Sequence, residues 1–290
     1  MRWLLVALSA PALVGLLFVA NGLWPSWRTP QVGRSAYPPR SGPIRTIKAM
    51  AYNIAKCFVH QGGLSFRSEQ EVTGCLDRIA AVVAREKPDL VFLSEINFQC
   101  SPCPVNQVQY LARKTRMHAH AFGENYSWGL PFYRIRSGNA LLSQLPLTPV
   151  ETQQLAGDAP FYHPLGNRRI LWVEVAINNE KLLVGSLRND SFDIDNNLVQ
   201  VRQILRRIGK RPALLGGDFN APAGSPPMQA LSASGRFTGK LDGPPTFPTD
   251  KPDRCIDFIL APRAWRLLEH RVLKEDVSDH LPVVSTFALP

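Results

Sequence analysis

The chain has 290 residues, 45% hydrophobic and 19% charged, which is enough to bury a large core and too apolar for a disordered or fibrous protein. Its formal net charge of +10 is unevenly placed: residues 1–47 hold five Arg, no Lys and no acid, so the remainder carries 28 basic against 23 acidic residues, or +5. That balance suits an anionic substrate and lacks the footprint of a dedicated nucleic-acid-binding module.

From Trp3 to Trp24 there is no charged residue, and only Ser9, Pro11 and Asn21 interrupt the apolar and small residues. A helix of about 20 such residues spans a bilayer. Residues 1–24 are therefore expected to form a transmembrane anchor or a signal sequence. Trp24 and Trp27 suit an interfacial position and favour the anchor, while Leu8-Ser9-Ala10 and Val19-Ala20 offer weak cleavage sites. The expected location is a membrane-anchored chain with an exported domain, or a secreted or periplasmic one if the N-terminus is cleaved. Arg28, Arg34, Arg40 and Arg45 follow the span and oppose export. Residues 25–43, rich in Pro, Ser, Gly and Arg, read as a linker.

From residue 44 to 290 short apolar runs alternate with amphipathic segments, as expected for one α/β domain. Strands are expected over Ile44–Asn53, Leu90–Glu95, Ala140–Ser143, Arg169–Ile177, Lys181–Ser186 and Ala213–Leu215, and near Ile256–Leu260 and Val283–Phe287. Helices fit Val72–Glu86, Val105–Arg116 and Leu198–Ile208. Links of both helical and hairpin type, such as Asn178-Asn179, imply mixed sheets. Of the five cysteines, Cys100 and Cys103 form a CxxC, but no second pair completes a zinc site. Outside the cytoplasm, one or two disulfides among Cys57, Cys75, Cys100 and Cys103 are expected.

Several apolar segments deliver a polar group at or near an end. Asn53 closes AYN, Glu95 follows LVFLS, and Asp218 and Asn220 follow LLGG two residues apart on one side of the chain. Asp257 lies in RCIDFIL, and Asp279-His280 precede the last strand. Each has a bland counterpart: a side-chain-to-backbone bond for Asn53, a surface carboxylate for Glu95, an ion pair with Arg254 for Asp257, a structural His280. Their recurrence along successive strands favours a shared site.

In order, MAYNIAKC, LVFLSEIN, SGNALLSQLPL, LLGGDFNAP, TFPTDKPDRCIDFIL and SDHLPVVSTF resemble the endonuclease/exonuclease/phosphatase superfamily, from about Ile44 to Leu289. The resemblance implies a four-layer α/β/β/α sandwich of two packed mixed sheets with outer helices. It implies a Mg²⁺-dependent phosphoester hydrolase, a phosphodiesterase, nuclease or phosphatase, in which Mn²⁺ would substitute. Glu95 corresponds to the metal-ligating glutamate, with Asn53 and Asp279 near the same ion. Asp218 corresponds to the group that orients or deprotonates water, Asn220 to its partner at the phosphate, His280 to a donor to a phosphoryl oxygen, and Asp257 to the brace of that ring.

One departure stands out. The slot where many members carry a histidine reads Val184 to Asp190, VGSLRND, and places Arg188 or Asn189 there. Arg188 is either a phosphate fork or an outward surface residue. Asn139 either bonds near the phosphate or braces a turn. His60 is either a loop-surface residue or reaches substrate, and His163 and Arg168-Arg169 lie in a segment between strands that is a candidate anion-contacting loop. Arg202, Arg206, Arg207, Lys210 and Arg211 form a basic face that is either a solvated helix side or attracted to a membrane surface. The expected substrate is a nucleic acid, a phospholipid head group or a small phosphate ester, met by a monomer associated with a membrane through its N-terminal segment. The alternative is a catalytically weak binding or scaffold protein on the same fold, raised by the missing histidine.

Overall fold

The structure, a computed structural model, describes residues 2–23, 30–157 and 168–290. Trp24, Trp27, Arg28 and His163 lie outside the described residues. In chain order the elements are α1 (Arg2–Leu23), β1 (Gln31–Arg34), β2 (Thr46–Asn53), a short turn of helix (Ala55–Phe58), β3 (His60–Gly62), β4 (Ser65–Phe66), α2 (Glu69–Glu86), β5 (Leu90–Cys100) and α3 (Gln107–Lys114). There follow β6 (Ala119–Leu130), β7 (Tyr133–Ser143), β8 (Leu147–Gln154), β9 (Arg169–Ile177), β10 (Glu180–Arg188), α4 (Ile194–Ile208), β11 (Ala213–Asp218), α5 (Pro226–Ala233), β12 (Phe237–Thr238), β13 (Asp257–Pro262), β14 (Arg266–Val272) and β15 (Val283–Ala288).

Alternation along the strands sorts side chains into three apolar layers. On β2, Ile47, Ala49 and Ala51 enter the layer between the sheets, while Met50 and Tyr52 face α2 and α3. On β11, Leu214 points inward and Ala213 and Leu215 point toward α4 and α5. The result is two mixed sheets face to face with helices outside, a four-layer sandwich. One sheet runs β1-β6-β7-β5-β2-β15-β14 and the other β12-β13-β11-β10-β9-β8.

Element ends depart from the periodicity where capping decides them. Ser68 and Glu71 close a capping box, so α2 begins before its first apolar residue, Val72. Asp193 accepts from the Asp195 and Asn196 N–H groups and starts α4 at Ile194, ahead of the expected Leu198. β5 continues past Glu95 to Cys100 through two register shifts, and β7 begins at Tyr133, well before Ala140. Part of the stretch read as a linker, Gln31–Arg34, pairs with β6 as an edge strand. Arg40 downstream of it pairs with Asp89 at 2.6 Å. All five cysteines are free thiols, and Cys57, Cys75, Cys100 and Cys103 pack in the apolar layer under α2 and α3, so the expected disulfides do not form.

Among the described residues no helix is long and apolar enough to cross a membrane. The C-terminal end of α1 lies on the β6–β7 hairpin. The Phe18 and Trp128 rings meet edge to face at 5.9 Å, and the buried Asn21 donates to the Gly129 carbonyl at 3.0 Å.

The sheets approach closely at one point. A Cβ added to Gly216 on β11 would lie 2.5 Å from the Phe92 ring of β5, and Gly217 beside it has φ +138. Gly216→Ala should therefore cost about 1–3 kcal/mol by overpacking, read from urea unfolding. The loss should shrink when Phe92 is replaced by Leu; strictly additive effects would show that the two do not meet.

Candidate active site

Register brings the site together. In the second sheet Arg188 of β10 is the neighbour of Asp218 on β11, and Asp218 is the neighbour of Asp257 on β13. In the first sheet Asn53 ends β2 opposite Ser94, the residue before Glu95. Side chains from both sheets converge at this end.

Asn53 is the bridge between them. Its Nδ2 lies 3.1 Å from Asp218 Oδ2 and 3.3 Å from Glu95 Oε1, and its Oδ1 accepts the Ala55 N–H at 3.0 Å. Two carboxylates facing the amide fix its orientation, nitrogen inward. Asp218 is fully buried, yet both its oxygens have partners. Oδ1 accepts the Asn220 N–H at 2.9 Å, and Oδ2 accepts from Asn220 Nδ2 at 3.1 Å as well as from Asn53. Arg188 Nε stands 3.5 Å from the same oxygen.

Glu95 sits at φ +51, a left-handed conformation that is costly for a side-chain-bearing residue, at the first register shift of β5. Its carboxylate meets two cations: Arg188 Nη2 at 2.7 Å from Oε1, and Lys56 Nζ on Oε2. Burial alone would raise its pKa, but Arg188 and Lys56 hold the carboxyl well below the usual range. Lys56 is delivered by the turn Ala55–Phe58, whose four residues all have positive φ.

His280 is held from the other side. Its Nδ1 lies 2.8 Å from Asp257 Oδ2, which also accepts from Thr246 Oγ1 at 2.7 Å, and the Phe247 ring packs on the imidazole at 4.6 Å. Nε2 lies 3.3 Å from Asn53 Nδ2 and 4.0 Å from Asp218 Oδ2. Asn53 has only two amide hydrogens, and the carboxylates are the stronger acceptors. Burial lowers the His280 pKa, but Asp257 and Asp218 outweigh it and push it up to about 9. Burial also raises Asp257, against the pull of His280. The proton therefore belongs to the imidazole, leaving an imidazolium whose Nε2–H faces Asn53 and Asp218.

A family model described as Endonuclease/Exonuclease/phosphatase family matches residues 50–280. The chain belongs to the endonuclease/exonuclease/phosphatase family. Sequence comparison with curated proteins finds no match. Among solved structures, an endonuclease/exonuclease/phosphatase from Beutenbergia cavernae is 23% identical with TM-score 0.65, over 85% of this chain and 72% of that one. The human Nocturnin catalytic domain with bound sulfate is 15% identical with TM-score 0.62, over 90% of this chain and 97% of that one. A Bacteroides thetaiotaomicron mannosyl-6-phosphatase is 15% identical with TM-score 0.59, over 84% of this chain and 100% of that one. These likenesses concern the fold.

Against that family pattern, Asn53, Glu95, Arg188, Asp218, Asn220, Asp257 and His280 form one connected network, and the exposed Asp279 borders the same cleft as Glu95. Arg188 turns into the site and is not a surface residue. Asn189 turns away: its Nδ2 bonds Asn197 Oδ1 at 3.2 Å, and its backbone holds Asp218 and Asn220. Asn220 braces Asp218 through both its amides. Asn139 bonds the Arg169 carbonyl at 2.8 Å and Asn125 at 3.2 Å, a brace between the sheets. Asp257 pairs with His280, whereas Arg254 pairs with Asp253. His60 is exposed and bonds the Gly63 carbonyl, and Arg168 bonds Ser191. On the basic helix face, Arg207 and Arg211 pair with Glu151 and Glu174. Sequence reasoning missed Lys56, Thr246 and Ser278, whose Oγ donates to the Asn53 carbonyl at 2.7 Å; Lys56 stands three residues after Asn53 within a quoted motif.

Asp218, Asp257 and His280 also lie close enough to hold a metal ion. Protonated His280 already offsets Asp257, and Arg188 stands beside Asp218, so a divalent ion fits better at Glu95. There the Lys56 ammonium stands where a cation would, and the Asp279 carboxylate faces the same space. The Asn53 amide nitrogen faces Glu95, while its Oδ1 accepts the Ala55 N–H.

The His280 imidazole should titrate by NMR near pH 9 and fall toward about 6.5 in Asp257→Asn. Because the folded value is raised, its stabilising charge is fully present below about 6.5 and lost as pH rises through about 9. A wild-type midpoint near 6.5 would remove the imidazolium.

Proposed function

We propose that the protein is a Mg²⁺-dependent phosphoester hydrolase, with Mn²⁺ as a substitute, acting by in-line attack of water on phosphorus. The observation that carries this reading is the buried Asp218, held by Asn53, Asn220 and Arg188 within 4.0 Å of a His280 braced by Asp257. Asp218 takes the proton of a water as its oxygen bonds to phosphorus; the bond from phosphorus to the leaving oxygen breaks, and that oxygen is protonated from solvent. His280 Nε2–H donates to a non-bridging oxygen, and Arg188 adds a fixed positive fork beside it. Glu95 and Asp279 would hold the ion, which supplies Lewis-acid stabilisation of the phosphoryl oxygens. Charge supports the assignment: Lys56, Arg188 and His280 face Glu95, Asp218, Asp257 and Asp279, an excess of one negative charge that a divalent cation reverses to suit an anionic ester. These converged groups favour the hydrolase over a binding or scaffold protein.

We also read the chain as monomeric and membrane-associated through α1, with an exported domain. The membrane reading is supported by the apolar run from Trp3 and the exposure of Leu13, Val14, Leu16 and Val19.

Hydrolysis of bis-p-nitrophenyl phosphate should require Mg²⁺ and stop with EDTA, and Asp218→Asn should lower kcat by about 10³-fold or more, within the range of essential acid–base and electrostatic groups. Metal-independent turnover untouched by that change would sink the reading. The Lys56 ammonium competes for Glu95, so Lys56→Met should tighten Mn²⁺ binding by roughly tenfold, about 1.4 kcal/mol, in calorimetry. Unchanged affinity would place the ion away from Glu95.

A further inference from the structure

Beside Glu95 the surface opens into a cleft of about 690 Å³, a size typical of small-molecule sites. Its polar groups include Lys56, Glu95, Asn97 and Asp279, gathered where it meets the network described above. Its walls are apolar and come from three separate places: Phe58 and Phe66 from the turn and hairpin after β2, Trp128 and Tyr133 from the β6–β7 hairpin, and Phe18 from α1. The site thus has a charged end and an aromatic body.

Two further observations point to a ligand. The Asn97 side chain borders the cleft and is fully buried, yet among the described residues neither its oxygen nor its nitrogen has a partner. A buried carboxamide left so costs free energy that a bound polar group would recover. The N-terminal helix is also fastened in place as a wall. Asn21, 2% exposed, donates to Gly129 and accepts from Ser127 Oγ at 3.2 Å and Arg134 Nη1 at 3.4 Å. An amide in an otherwise apolar segment is thereby satisfied by the hairpin and not by solvent. Leu64, 96% exposed, continues the apolar lining at the tip of the β3–β4 hairpin, and Phe132 at the tip of the β6–β7 hairpin is 78% exposed.

We propose that this cleft binds the apolar portion of an amphiphilic phosphoester, placing its phosphate at Glu95, Arg188 and His280, with α1 as one wall of the binding site. The hydrolytic outcome rests on the function proposed above; the binding does not. A nucleic-acid strand fits less well. Its further phosphates need a basic track, and the cations bordering the cleft are engaged, Lys56 by Glu95 and Arg134 by Gln99 at 3.1 Å and by Asn21.

The test uses the full chain with methyl, butyl and octyl p-nitrophenyl phosphodiesters, all below their aggregation limits. Transfer of one methylene from water to an apolar site is worth at most about fourfold, so kcat/KM should rise at least tenfold from methyl to octyl, mainly through KM. The gradient should flatten in Trp128→Ala and in Tyr133→Ala, both at half-exposed positions. No gradient in the wild type, or a thymidine ester preferred over the octyl one, would overturn the proposal. Calorimetry of octyl phosphate against inorganic phosphate decides the cleft even if no ester is hydrolysed. Tighter octyl binding that weakens in the two variants supports the cleft while the hydrolase reading fails; equal binding of the two ligands rejects it.

Discussion

One hydrogen-bonding group ties the two sheets together where the chemistry lies. The Asn53 amide leaves the end of one sheet and reaches Asp218 at the end of the other, holding Glu95 on the way. That reach requires the sheets to come close, and they do because Gly216 leaves room for the Phe92 ring. A residue with no side chain in the middle of β11 thus sets the distance between two carboxylates carried by different sheets. Serine and threonine hydroxyls complete the frame: Ser278 fastens the loop of His280 to the Asn53 backbone, and Thr246 fastens Asp257.

The charges gathered there would repel one another without this frame. Four carboxylates lie at one end of the sandwich, and three of them are largely or fully buried. Lys56, Arg188 and His280 offset most of that charge, and the strained backbone at Ala55–Phe58 and at Glu95 is what brings opposite charges into contact. Strain of this kind persists only where surrounding packing imposes it. Here the imposing structure is β5 on one side and the α2–α3 layer on the other, in which Cys57 is buried.

How far the sequence could be read follows from which physics was local. The α/β class with mixed sheets was legible because apolar runs such as β2, β5 and β11 alternate with amphipathic helices, whereas the four-layer arrangement followed only from the resemblance of the ordered motifs to the family. Glu95, Asp218, Asp257 and His280 were legible as polar residues interrupting such strands. Lys56 was not, because its position depends on four consecutive left-handed residues, none of them glycine. Arg188 stood evenly between a phosphate fork and an outward surface residue, and only the pairing of β10 with β11 turns it inward. The β6 strand and the first half of β7 were missed since their tips, from Tyr126 to Arg136, are polar and aromatic without clean alternation. The reason is visible in the fold: these tips extend past most of the sheet, and their partner is α1.

That partnership changes the meaning of the N-terminal segment. An apolar run at a chain's start reads as a device for reaching a membrane, and its polar interruptions as flaws in that device. Asn21 is instead the residue that docks the helix, since its amide fills the hydrogen-bonding needs of a hairpin beside the site. Phe18, one turn earlier, then has a defined place against Trp128. The exposed Leu13, Val14 and Leu16 lie further along the same helix. The helix is thus apolar toward solvent at one end and built into the cleft wall at the other. Its placement ties the segment to the site, because Asn21 bonds Gly129, Ser127 and Arg134 of the same hairpin that supplies Trp128 and Tyr133 to the cleft.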